Sequence, residues 1–73
     1  MSNIEAFAKR VKDTREAIPS SLEDIALFSD LSVKRLELIE AGKDKGINGL
    51  EIHRLAIALG VSFSYLLHGR DGE

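Results

Sequence analysis

Two short segments with the apolar spacing of amphipathic helices, residues 22–29 and 33–41, lie only three residues apart in the sequence. Ser21 precedes the first segment and Ser32 precedes the second, and serine is a favoured N-cap residue. Between the segments, Asp30 is a residue type that tolerates left-handed backbone, which suits a tight turn. Two helices joined by a turn this short form a helix-turn-helix, and this motif limits the folds open to the chain.

Three further helices are predicted around this pair, at about residues 3–17, 49–59 and 63–67. Pro19 ends the first of them, because proline lacks a backbone donor and disfavours helical geometry in the residue before it. Asn48 and Glu51 have the spacing of a capping box at the start of the fourth. No strand pattern or repeat is present in the sequence, so the predicted fold class is all-α.

The chain has 73 residues, enough for one domain, which we expect over residues 1–67 with a polar tail over 68–73. A core of this size supplies only about 3–5 kcal/mol of folding free energy, so pairing with a second copy would add to the stability of the fold. The sequence has no cysteine and no metal-ligand spacing, and neither a metal nor a cofactor is expected. No apolar run is long enough for a bilayer and no secretory signal is recognisable, which favours a cytoplasmic protein without membrane contact.

The net charge of −2 has the wrong sign for a protein that coats nucleic acid without specificity. Any contact with DNA must therefore be confined to a part of the surface where basic residues cluster. The basic residues do cluster in two stretches, one in the first helix and one around the middle of the chain. Those clusters contain Lys9, Arg10, Lys12 and Arg15, and Lys34, Arg35, Lys43 and Lys45.

Residues 21–42, SLEDIALFSDLSVKRLELIEAG, resemble the helix-turn-helix of the lambda repressor and Cro family, also called the Xre family. Residues 55–62, LAIALGVS, and the pair Leu66-Leu67 are similar to the fourth and fifth helices of that family. The resemblance implies a compact five-helix, lambda repressor-like domain whose helices 2 and 3 form the helix-turn-helix. It also implies a sequence-specific regulator of transcription that binds double-stranded DNA, acting as a repressor and as a homodimer.

The resemblance also suggests structural roles for three residues. Ala26 is similar to the small residue that the family needs where helices 2 and 3 cross. Arg15 lies on the apolar stripe of the first helix, so it needs a carboxylate partner inside the fold. The resemblance identifies that partner as Glu40, at the end of the third helix, and implies a structural ion pair.

In the docking geometry of this family, the amino-terminal part of helix 3 enters the major groove. The side of helix 3 opposite Leu36 would then read the bases. The candidates for base contact are Ser32, Val33, Lys34, Glu37 and Leu38. The candidates for phosphate contact are Lys9, Arg10, Arg35, Lys43, Lys45, Asn48 and Gly49.

Family members often pair through their last helices. The candidates for such a dimer interface are Ile57, Phe63, Tyr65 and Leu66. The alternative is that Phe63 and Leu66 complete the core of the monomer.

Two other function classes are alternatives to DNA binding. A protein-binding adaptor or antitoxin-like module could use the same fold, and it would present apolar side chains to a protein partner: Leu22, Leu27, Phe28 and Leu38. The negative charge favours this alternative modestly, as does Leu22 at a position where a phosphate-binding glutamine is common in the family. An enzyme is not expected, because Ser20, Ser21, His53 and His68 have no spacing that would orient a catalytic base.

Overall fold

A computed structural model describes residues 3–43 and 46–69, and within these ranges the chain forms five α-helices and no strand. The helices are α1 (Asn3–Glu16), α2 (Leu22–Ser29), α3 (Val33–Glu40), α4 (Gly49–Leu59) and α5 (Phe63–His68). The predicted all-α, five-helix fold class is confirmed. None of the helices in the described ranges is long and apolar enough to span a bilayer.

Side-chain caps fix where four of the helices begin. Ser21, Ser32, Asn48 and Ser62 each accept a hydrogen bond from the backbone N–H three residues further on, which satisfies a donor that has no partner inside the helix. The capping box predicted at the start of α4 is present in both directions. These local signals explain why the predicted helix starts agree with the structure.

The helix ends differ from the predictions by at most one residue. The first helix ends at Glu16 rather than Ala17, and α3 ends at Glu40 with Ala41 as its C-cap. Helix α5 includes His68, one residue beyond the predicted end. Asp30 has φ 58°, so the turn between α2 and α3 uses the left-handed backbone that the sequence predicts.

One apolar cluster joins all five helices. Helix α2 packs on α3 and α4, while α1 packs on α3, α4 and α5. The buried members of the cluster are Phe7, Val11, Ile25, Ala26, Leu36, Ile39, Ile52, Leu55, Ala56, Leu59 and Leu66. Because the inner side of α3 is buried in this cluster, its opposite side is left to face solvent.

The carboxyl end of α3 lies against the first helix. Gly42 has φ +72°, and a Cβ atom placed there would lie 3.3 Å from the Cβ of Ala8. Only glycine combines this backbone conformation with so close an approach. Gly42 therefore allows the last turn of α3 to reach α1, where Arg15 is found.

Candidate nucleic-acid interface

The outer face of α3 carries the side chains predicted to read bases. Ser32, Lys34 and Glu37 are exposed, and Leu38 retains 45% of its surface. Val33 is only half-exposed, because it also packs against the core. The structure thus places four of these five side chains on one solvent-facing surface and the fifth at its edge.

Ser32 has a structural role in addition to any contact with DNA. Its Oγ accepts a hydrogen bond of 3.0 Å from the backbone N–H of Arg35 and so caps α3. The hydroxyl proton is still available for donation, because the cap uses only a lone pair of the oxygen.

Arg15 and Glu40 meet inside the fold, as the apolar stripe and the family resemblance together suggest. The Nε and Nη2 atoms of Arg15 donate to the two carboxylate oxygens of Glu40 at 2.7 and 2.9 Å. Their side chains are 16% and 9% exposed. The hydrogen bond to Glu40 raises the pKa of Arg15. This two-pronged pair attaches the end of α3 to α1.

Arg10 uses its guanidinium for hydrogen bonds within the protein. Its Nε donates to the carbonyl of Leu66 at 2.9 Å and its Nη2 to the carbonyl of Leu67 at 2.7 Å. The guanidinium is half-buried and satisfies carbonyls in the last turn of α5. Arg10, predicted as a phosphate contact, is therefore engaged in holding α5 on α1. Nothing in the sequence indicates this role, because the acceptors are backbone atoms more than fifty residues away.

Arg35 is also engaged within the protein. Its Nε and Nη2 donate to the two carboxylate oxygens of Glu51 at 2.7 and 2.8 Å. The two side chains are 24% and 14% exposed. Arg35, predicted as a phosphate contact, is therefore held by Glu51, a residue whose position in the sequence indicates only a capping box.

The remaining candidates for phosphate contact are spread over three places. Lys9 is exposed and its Nζ donates to the carboxylate of Asp13 at 2.8 Å, and this hydrogen bond raises the pKa of Lys9. Lys43 is exposed just after α3, whereas Lys45 lies outside the described residues. Asn48 uses its side-chain oxygen to cap α4, and Gly49 is exposed at the first position of that helix.

The four candidates for dimer contact differ in how far they are exposed. Ile57 is 66% exposed and Phe63 is 40% exposed, while Tyr65 is half-buried. Leu66 is fully buried in the core of the monomer, so it is not free to contact a second copy.

Of the side chains named for a protein partner, Leu27 and Phe28 are strongly exposed, at 75% and 64%. Leu22 is half-buried against the core.

No model of a known protein family matches this sequence, and no curated protein matches it either. Among solved structures, the chain is similar to the restriction-modification controller protein C.AhdI from Aeromonas hydrophila, known from a high-resolution crystal structure. The two share 26% sequence identity and a TM-score of 0.83, over 90% of this chain and 98% of C.AhdI. The chain therefore has the five-helix, lambda repressor-like fold, with its helix-turn-helix in α2 and α3. C.AhdI is a controller protein, in agreement with the prediction that this domain is not an enzyme.

Proposed function

We propose that this helix-turn-helix domain is a sequence-specific regulator of transcription that binds double-stranded DNA with α3 in the major groove. The observation that carries the proposal is the contrast between the two sides of α3. Its inner side is buried and attached by Arg15–Glu40 and Arg35–Glu51, whereas its outer side is exposed and carries both polar and apolar side chains. A rigid helix with a free face is what direct readout of base edges requires.

The side chains on the outer face of α3 can contact both G·C and A·T base pairs. Lys34 can donate to the O6 and N7 atoms of guanine, and Glu37 can accept from the N4 amino group of cytosine. Leu38 offers an apolar surface to a thymine methyl group. A carboxylate near DNA phosphates is unfavourable unless it finds a base donor, so Glu37 would favour particular sequences rather than tight binding in general.

The likeness to C.AhdI, a controller protein, supports a regulatory role. We propose repression as the mode of regulation, since a bound domain can block access to the DNA it covers. A regulator of this kind acts where the DNA is, and we therefore place it in the cytoplasm.

The proposal predicts that the Lys34→Ala variant loses between about fivefold and about 150-fold in affinity for its preferred duplex, as expected when a base contact of about 1–3 kcal/mol is removed. The measurement is fluorescence anisotropy of a labelled duplex, titrated at several salt concentrations. Lys12→Ala is the matched control, because it removes the same charge from an exposed position outside the proposed contacts. Equal losses in the two variants would contradict base reading by α3.

We further propose that two copies pair through Ile57 and Phe63, the exposed members of the predicted dimer surface. Such a pair would set two recognition helices about one turn of DNA apart, ~34 Å. The Ile57→Ser/Phe63→Ser variant is expected to sediment as a monomer at concentrations where the unchanged chain is a dimer, with the same helix content by circular dichroism. A monomeric unchanged chain at high concentration, with or without DNA, would refute the dimer.

A second candidate function is an adaptor or antitoxin-like module, favoured by the exposure of Leu27 and Phe28 on α2. Large apolar side chains that remain exposed next to each other can mark a protein contact. If the folded protein fails to bind any duplex at low salt, this function replaces DNA binding, and Leu27→Ser/Phe28→Ser becomes the variant to test against candidate partners.

A further inference from the structure

A polar network connects the start of α3 to the start of α4. Ser32 accepts a hydrogen bond from the backbone N–H of Arg35, and the guanidinium of Arg35 binds Glu51 through two hydrogen bonds. Glu51 also accepts from the backbone N–H of Asn48 at 3.2 Å, while Asn48 accepts from the backbone N–H of Glu51 at 2.9 Å. One carboxylate thus belongs both to a capping box and to an ion pair between helices.

The ion pair in this network has the geometry of a fixed contact. Arg35 and Glu51 meet through two parallel hydrogen bonds, and most of both side chains is removed from water. Two-pronged arginine–carboxylate pairs define an orientation as well as a distance. By contrast, Lys9 and Asp13 meet through a single nitrogen, with 65% and 58% of their side chains exposed. Exposed pairs of this kind contribute little free energy and do not fix the orientation of their side chains.

The two ends of this pair lie beside the two parts of the proposed DNA surface. Arg35 is on α3, next to Lys34 on the base-reading face. Glu51 is in the first turn of α4, next to Asn48 and Gly49, which are candidates for phosphate contact. Helix α3 itself packs on α1 and α2, so the pair adds a direct connection from α3 to the start of α4.

We propose that Arg35 and Glu51 are a positioning pair that sets the base-reading face of α3 relative to the phosphate-contacting start of α4. The proposal rests on the proposed function, because both surfaces belong to it. In this arrangement Arg35 acts through Glu51 and does not bind a phosphate. Breaking the pair lets the two surfaces shift relative to each other, so base contacts are lost while attraction to the DNA backbone is retained.

The test compares two probes, a short duplex selected from a randomised pool by the unchanged protein and a duplex with the same bases in scrambled order. Affinities for both are measured at several salt concentrations with Arg35→Ala, Glu51→Gln and the double variant. Glutamine at position 51 keeps the capping box, because Gln can also reach back to the N-cap N–H. The Glu51→Gln variant therefore removes the charge and the second acceptor oxygen that the two-pronged pair needs, while it keeps the cap.

We expect each single variant to lower the ratio of selected to scrambled affinity by roughly tenfold, which corresponds to about 1.4 kcal/mol. The double variant is expected to lose no more than either single one, because both substitutions remove the same interaction. The slope of log affinity against log salt stays unchanged in Arg35→Ala. The Arg35→Lys variant, which keeps the charge without the planar fork, should lower the ratio as well.

A phosphate contact at Arg35 gives a different pattern. Arg35→Ala would then weaken binding to both duplexes alike and reduce the salt slope by about 0.9. Glu51→Gln would leave affinity unchanged or raise it, and Arg35→Lys would retain most of it. That pattern overturns the positioning role while leaving the DNA-binding function intact. If the unchanged folded protein selects no duplex and binds neither probe at low salt, the proposed function fails and the positioning role fails with it.

Circular dichroism at the binding temperature establishes that each variant is folded before its affinity is measured. If Arg35→Ala does not fold, Arg35→Lys and Glu51→Gln decide the result, since neither leaves a buried charge facing an apolar side chain.

Discussion

Leu66→Ala is expected to lower the free energy of unfolding by about 2–5 kcal/mol, since it leaves a cavity in a closely packed site. Leu66 is fully buried on α5 and belongs to the cluster that joins all five helices. A domain of this size is stable by only about 3–5 kcal/mol, so much of the variant should be unfolded without denaturant. Urea unfolding followed by circular dichroism measures the difference.

Leu27→Ala is the matched control for this substitution. Leu27 has the same side chain but is 75% exposed on α2, and its removal should change stability by no more than about 0.5 kcal/mol. If Leu66→Ala instead unfolds at the same urea concentration as the unchanged chain and sediments as a monomer, Leu66 belongs to a dimer interface, and its placement in the monomer core is wrong.

The helix-turn-helix could be predicted from the sequence because its signals are local. Ser21 and Ser32 cap the helices that directly follow them, and Asp30 tolerates the left-handed turn between those helices. The buried stripes of α2 and α3 repeat with the helical period, so Ile25 and Leu36 could be assigned to the core. Each of these inferences depends on residues within one or two helical turns of each other.

The roles of the basic residues could not be predicted in the same way. The sequence shows that Arg10 and Arg35 belong to basic clusters, but whether an arginine faces solvent or another helix depends on the tertiary fold. The partners of Arg10 are carbonyls of α5, which every residue possesses, so no side-chain pattern marks them. Glu51 was recognisable as a capping residue, and its position gave no sign of a second partner sixteen residues earlier.

The ion pair between Arg15 and Glu40, by contrast, could be predicted from the sequence. A charged residue on an otherwise apolar stripe is unusual enough to require a buried partner, even before the family resemblance names Glu40. Arg35 lacks this signal, because it lies beside the apolar stripe of α3 rather than on it, and Leu36 takes the buried position. Leu66 was ambiguous for a related reason, since six residues of α5 contain too few turns to separate a core side from an outer side.

The Arg15→Ala variant is expected to lose about 3 kcal/mol of stability, because it leaves the carboxylate of Glu40 largely buried without its partner. Glu40 is only 9% exposed, and both of its oxygens accept hydrogen bonds from Arg15. The hydrogen bond to Glu40 also raises the pKa of the Arg15 guanidinium, so Arg15 is charged at any pH near neutrality. Thermal and urea unfolding should both show the loss.

Arg54→Ala is the matched control for this variant. Arg54 lies 3.8 Å from Asp30, with side chains 41% and 87% exposed, and an exposed pair of this kind contributes at most about 1 kcal/mol. Replacing both Arg15 and Glu40 with methionine should cost less than Arg15→Ala, because no charge then remains buried. An Arg15→Ala variant that unfolds like the unchanged chain but no longer binds DNA would refute the structural role and make Arg15 a phosphate contact.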